Sequence, residues 1–411
     1  MPLAVIALLV VLSLAFGNFP VKIGLVHWYD AVPVAQHQAR PDPTAVHRKP
    51  DPYPVQTVAD PWQPGQTQWG IQVYWQNTAS DPPSYTWGKA QRIVNYVVSL
   101  DANSLCISFP FYTPDITAST VGAKPTTPSP ARVAILIQEA RRAGLRVTVR
   151  PILNEASLDP PTGWRGAIEP ADPAEWFASY QRLLLPYAQV AQKYGAATFT
   201  VGTELDSMEG DPHWAGLIAA VGRVFHGQIS YDINWSDYIT TPRVDVPVGS
   251  FGVDAYFPVD APDSAPVSEL VAGWDAWLDH KTTGPLRSLV FSEVAIGAED
   301  GAYESPGNFY VSNPYNPNVQ ANWYTAICTV TRQRQMAGMY VWSLDFNAVP
   351  DHPPRSESPL DFLGRPLSEQ ALRACFSGEL ASADAHTGLP GGQHIEISRY
   401  GDPLRHRSTV P

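Results

Sequence analysis

The sequence predicts an α/β fold, a single (β/α)8 (TIM) barrel, on three observations. Short apolar runs alternate with amphipathic stretches, eight of the former against seven clear examples of the latter, as strands covered by crossover helices do. Several helical stretches open on a capping residue followed by proline. No glycine-rich phosphate loop follows the first strand, which weighs against the rival doubly wound open sheet.

Taken in order, the strands fall at residues 70–75, 104–109, 146–151, 198–203, 229–234, 250–256, 288–293 and 338–343. The helices fill 87–100, 131–143, 174–194, 213–225, 267–280, 319–335 and 367–375. Their starts are marked by Ser129-Pro130, Asp172-Pro173, Asp211-Pro212 and Asn316-Pro317. A cap oxygen accepts an orphan N–H there, and proline has no N–H to lose at the first helical position. Asp172 with Glu175 also fits a capping box. Residues 236–248, between the fifth and sixth strands, show no convincing helix.

At 411 residues the chain can form one large domain with tails, or two average domains. A hydrophobic content of 44% excludes a wholly disordered chain. The formal charge of −12 comes without a Lys/Arg cluster, which argues against a nucleic-acid partner and suits a neutral substrate. The 13 tryptophans cover sugar rings well but fill cores equally well. No cofactor is expected, and no histidine or cysteine spacing suggests a metal. A monomer is expected.

Outside the barrel, residues 1–19 read as a signal peptide or an N-terminal membrane anchor, because the apolar run 2–16 is short for a span. Residues 20–66 read as a proline-rich linker, 67–376 as the barrel, and 377–411 as a polar tail. The expected location is secreted or membrane-anchored. Of three cysteines, Cys106 sits in an apolar run. Cys328 and Cys375 fall on the last two helices and leave a disulfide or two free thiols equally open.

Two runs deliver a glutamate at the end of an apolar stretch: Thr200-Val-Gly-Thr-Glu204 and Leu289-Val-Phe-Ser-Glu293. One glutamate past a strand is ordinary surface chemistry. In a barrel, however, the active site lies at the C-terminal strand ends. Glu204 ends the fourth strand and Glu293 the seventh, so both face one mouth. Paired carboxylates of this kind suit glycoside hydrolysis, with Glu204 as acid/base and Glu293 as nucleophile.

These features, with Trp164-Arg-Gly-Ala-Ile168, Trp176-Phe-Ala-Ser-Tyr180, Tyr231-Asp-Ile-Asn-Trp235, Asp254-Ala-Tyr-Phe-Pro258, Val341-Trp-Ser343 and Gly364-Arg-Pro366, resemble clan A glycoside hydrolases, and family 113 in particular. The resemblance spans residues 70–376 and implies a retaining enzyme whose poly- or oligosaccharide substrate is a β-linked polysaccharide or cell-envelope glycan, β-mannan-like by resemblance. The chain departs from the family pattern in three places. Arg150-Pro151-Ile152 stands where Lys-Pro-His is usual, Ala295-Ile296 where Gly-Tyr is usual, and Thr203 where clan A carries Asn.

Further mouth residues follow. The resemblance implies that the Tyr256 hydroxyl bonds to the nucleophile. Asn234 offers an amide to sugar hydroxyls, Trp235 a stacking face and Trp342 a floor for the sugar, although core packing explains either tryptophan almost as well. Arg150 is grouped with the substrate-binding residues; as a strand-end charge it needs a partner, either a catalytic carboxylate or Glu155. Asp206, Glu209 and Asp254 are assigned to structural hydrogen bonding. A glycan-binding barrel without turnover and a transglycosylase are the alternative functions.

Overall fold

A computed structural model describes residues 55–155, 158, 164–241, 245–308, 313–351 and 360–380. The segments 1–19 and 20–54 and the tail beyond residue 380 lie outside these, so the expectations of a leader or anchor and of a polar tail fall largely there. The strands are β1 (Gln68–Tyr74), β2 (Ser104–Phe111), β3 (Arg146–Leu153), β4 (Thr198–Thr203), β5 (Gln228–Asn234), β6 (Ser250–Asp254), β7 (Val290–Val294) and β8 (Gly338–Asp345). They close in sequence order, every pair parallel and β1 against β8, which removes the open-sheet alternative.

The helices are α1 (Pro83–Ser99), α2 (Pro130–Arg142), α3 (Pro173–Tyr194), α4 (His213–Gly222), α5 (Trp235–Thr240), α6 (Val267–Leu278), α7 (Pro317–Gln333) and α8 (Pro366–Ser377). Cap chemistry sets several starts: the side chain of Asp172 accepts from Glu175 N and that of Asn316 from Asn318 N. The capping box is only half made, because Asp172 N donates to Ser119 Oγ while Glu175 pairs with Arg182. α5 lies in the stretch without a readable helix. Its six residues are too few to show a period, and it is started by Asn234 Oδ1, which accepts from Ser236 N.

Between strands and helices lies a layer of apolar and aromatic residues. Trp75, Trp176, Trp214, Trp274 and Trp323 are all fully buried, so much of the tryptophan content serves packing. Residues 55–66, within the stretch read as linker, lie against the strand-start end of the barrel. Val58 N donates to Ala143 O at 2.8 Å, and the Arg146 guanidinium sits 5.0 Å from the Trp62 ring centre. Among the described residues no helix is long and apolar enough to cross a membrane.

Cys328 and Cys375 form a disulfide that joins α7 to α8 across a sequence separation of 47 residues. Cross-links closing loops of this length stabilise by about 4 kcal/mol through the unfolded chain. The Cys328→Ala/Cys375→Ala protein is therefore expected to unfold at a clearly lower urea concentration; an unchanged midpoint would refute that contribution. Cys106 is a free buried thiol whose pKa is pushed up to about 12, chiefly by burial.

Candidate active site

Every parallel strand of the barrel points its C-terminal end to one rim, and both glutamates stand there. β4 reaches that rim through Gly202, where a Cβ would come within 2.8 Å of the Trp214 and Tyr231 rings, so only glycine fits. The next turn places Glu204 at φ +48°, a left-handed conformation uncommon outside glycine and costing about 1–3 kcal/mol. Its backbone is held by an N–H···O bond of 2.8 Å to Asp232, and the strained turn swings the carboxyl into the mouth.

Glu204 is 8% exposed. Its Oε1 accepts from Asn234 Nδ2 at 3.0 Å, and Arg165 Nη1 lies 3.5 Å from Oε2. Burial pushes its pKa up to about 7; Arg165 pulls the other way and Glu293 reinforces the rise. Asn234, expected to meet sugar hydroxyls, is thus engaged on both sides: its amide nitrogen on Glu204, its oxygen at the start of α5.

Glu293 is held differently. Tyr256 donates to its Oε2 at 2.6 Å, as the resemblance implied, and Arg150 Nη1 to its Oε1 at 2.5 Å. Arg150, grouped with the substrate-binding residues on sequence, has no exposed surface. Its Nε donates to Asp232 Oδ2 at 2.6 Å and its Nη2 to Asp254 Oδ2 at 2.7 Å. A lone guanidinium could not be buried here, but three carboxylates compensate it and raise its pKa against the opposing pull of burial. Of the two partners considered for it, the catalytic carboxylate is the one found; Glu155 pairs instead with Arg165, at 2.8 Å.

Three carboxylates around one guanidinium leave an excess of negative charge. Burial first, and then the charges of Glu293, Glu204 and Asp232, push Asp254 well above the usual carboxylate range. Gly252 makes room for this network, since a Cβ there would strike Asp232 Oδ1 at 2.4 Å and Ser292 Oγ at 2.5 Å. Asp254 Oδ1 accepts from Ser292 Oγ at 2.8 Å, so it bonds within the network, as assigned.

The two tryptophans separate. Trp342 is half-buried at the end of β8, 5.2 Å from the Tyr74 ring, and the Trp342–Ser343 peptide bond is cis. Trp235 opens α5 and packs edge-on against Phe257 at 5.9 Å and Trp277 at 5.4 Å, the packing alternative. Sequence reasoning gave Arg165, Asp232 and Tyr74 no role. Arg165 lay inside a quoted motif beside the exposed Trp164; Asp232 sits two residues before Asn234, on the same face of β5.

A closed barrel whose mouth holds two glutamates, one with its pKa raised by burial and one fixed by a guanidinium and a phenol, has the architecture of the barrel glycoside hydrolases. The sequence matches the model of Glycoside Hydrolase Family 113 over residues 75–364, and the chain belongs to that family. It is a glycoside hydrolase. No curated protein matches it. Among solved structures, a family 113 beta-1,4-mannanase in complex form is similar at 17% identity and TM-score 0.63, covering 76% of this chain and 99% of that one. A family 113 beta-mannanase from Alicyclobacillus acidocaldarius, in complex with ManMIm, is similar at 22% identity and TM-score 0.62, covering 76% and 98%. At these identities the likeness is one of fold.

Proposed function

We propose that the protein is a retaining β-mannan hydrolase working by double displacement. The observation that carries this is the contrast between the two glutamates: Glu204 is pushed up to about 7, while both oxygens of Glu293 are fixed by donors. In this reading an oxygen of Glu293 attacks the anomeric carbon as the glycosidic C–O bond breaks. Glu204 gives its proton to the departing oxygen. Glu204 then takes a proton from water, whose oxygen attacks the same carbon and releases Glu293.

Arg150 and Tyr256 orient the nucleophile, Asn234 and Arg165 hold the acid/base, and Trp342 offers an aromatic face to the sugar. The beta-1,4-mannanase described in the structural neighbours supports mannan as the glycan.

The test is proton NMR of hydrolysis of β-1,4-manno-oligosaccharides. The β-anomer is expected to appear first and then mutarotate. First appearance of the α-anomer would refute retention. Turnover of glucan or galactan but not of mannan would refute the substrate and leave the mechanism standing.

A further inference from the structure

Behind the acid/base, a second acidic cluster lies outside the proposed mechanism. Asp206 and Glu209 stand on the turn that follows Glu204, and Asp237 on α5, just beyond Asn234. One carboxylate oxygen from each lies within 4.8 Å of the others. Glu209 is 8% exposed, yet its Oε1 has no hydrogen-bond partner, while the Asp206 carboxyl, its Oδ1 buried, faces that of Asp237. Among the described residues none of the three carboxylates forms an ion pair.

We propose that Asp206, Glu209 and Asp237 bind a hard divalent cation of the calcium kind. The donors are all carboxylate oxygens, which suits calcium or magnesium and disfavours softer metals. Calcium tolerates irregular oxygen geometry and fills remaining positions with water, whereas magnesium demands a near-ideal octahedron. The surroundings are firm: Trp214 Nε1 donates to Met208 O at 2.8 Å, and Leu205 N to the Tyr231 hydroxyl at 2.9 Å. Three carboxylates this close, with no cationic side chain paired to them among the described residues, lack a counter-charge, and a cation supplies it.

Its position suggests what it does. It ties the turn after β4 to the start of α5, and those segments carry the two partners of the Asn234–Glu204 hydrogen bond. The site stands on its own donors, whatever the roles of Glu204 and Glu293.

The full chain, stripped with EDTA and titrated with CaCl2 by calorimetry, is expected to give a saturable isotherm of one ion per chain and a Tm that rises with calcium to a plateau. MgCl2 is expected to bind more weakly. Glu209→Gln and Asp237→Asn should each weaken calcium binding by at least about tenfold. Asp237 is only partly buried, so its variant provides the readout if Glu209→Gln fails to fold. Equal Tm in EDTA and in excess CaCl2, with no binding heat, would overturn the proposal. So would either variant binding calcium as tightly as the unaltered protein, or Glu209→Gln gaining stability in EDTA while calcium leaves the parent unchanged.

Discussion

Replacing Glu293 with alanine is expected to lower turnover by roughly 10^5–10^6-fold, the order seen when a covalent nucleophile is lost. The fold should survive, because Arg150 keeps Asp232 and Asp254 as partners at 2.6 and 2.7 Å. Removing one of three carboxylates also relieves part of the excess negative charge, so the buried guanidinium is not stranded. Added azide should enter the space vacated by the carboxyl and attack the anomeric carbon from that face, giving a glycosyl azide of inverted configuration. A variant with wild-type turnover would remove Glu293 from the mechanism. Loss of turnover together with a collapsed Tm would show that the carboxyl is needed first for folding.

The second large effect concerns Glu204. General acid catalysis contributes about 10^2–10^4-fold, and Glu204→Ala should lose that much on natural glycans. Aryl substrates with good leaving groups need less protonation and should lose less in the glycosylation step. The same residue sets the pH dependence. In the proposed mechanism its acid form is required, and burial pushes its pKa up to about 7, so kcat/KM should fall as pH rises through about 7. Stability should follow the same direction: a carboxyl whose folded pKa is raised binds protons more tightly in the native state, and that contribution is lost as pH rises through the folded value. In Glu204→Gln the basic limb near 7 should disappear. Equal losses on both substrate types, or a basic limb that persists in Glu204→Gln, would count against the assignment.

Much of this was legible in the sequence. Strand ends at Glu204 and Glu293 could be read because apolar runs of fixed length stop there, and parallel closure then sends both to one rim. The Cys328–Cys375 bridge was an open choice, since adjacency of two helices does not fix where side chains point. The six-residue α5 was invisible to any period, although Asn234 supplied its cap. Arg150 was recognised as a charge in need of a partner, but its partner could not be chosen.

The residue pattern by itself determined the barrel and the place of Glu204 and Glu293 at its strand ends, because local periodicity and strand order are short-range properties carried along the chain. Tertiary structure alone decided how each carboxylate behaves. The left-handed turn at Glu204 held by Asp232 O, the amide of Asn234 on one side, and the guanidinium of Arg150 reaching Glu293 across 143 residues of sequence all depend on neighbouring strands. Burial and charge at those contacts push Glu204 up to about 7 and fix both oxygens of Glu293. Electrostatic environment is a property of three-dimensional neighbours, and a linear pattern does not contain it.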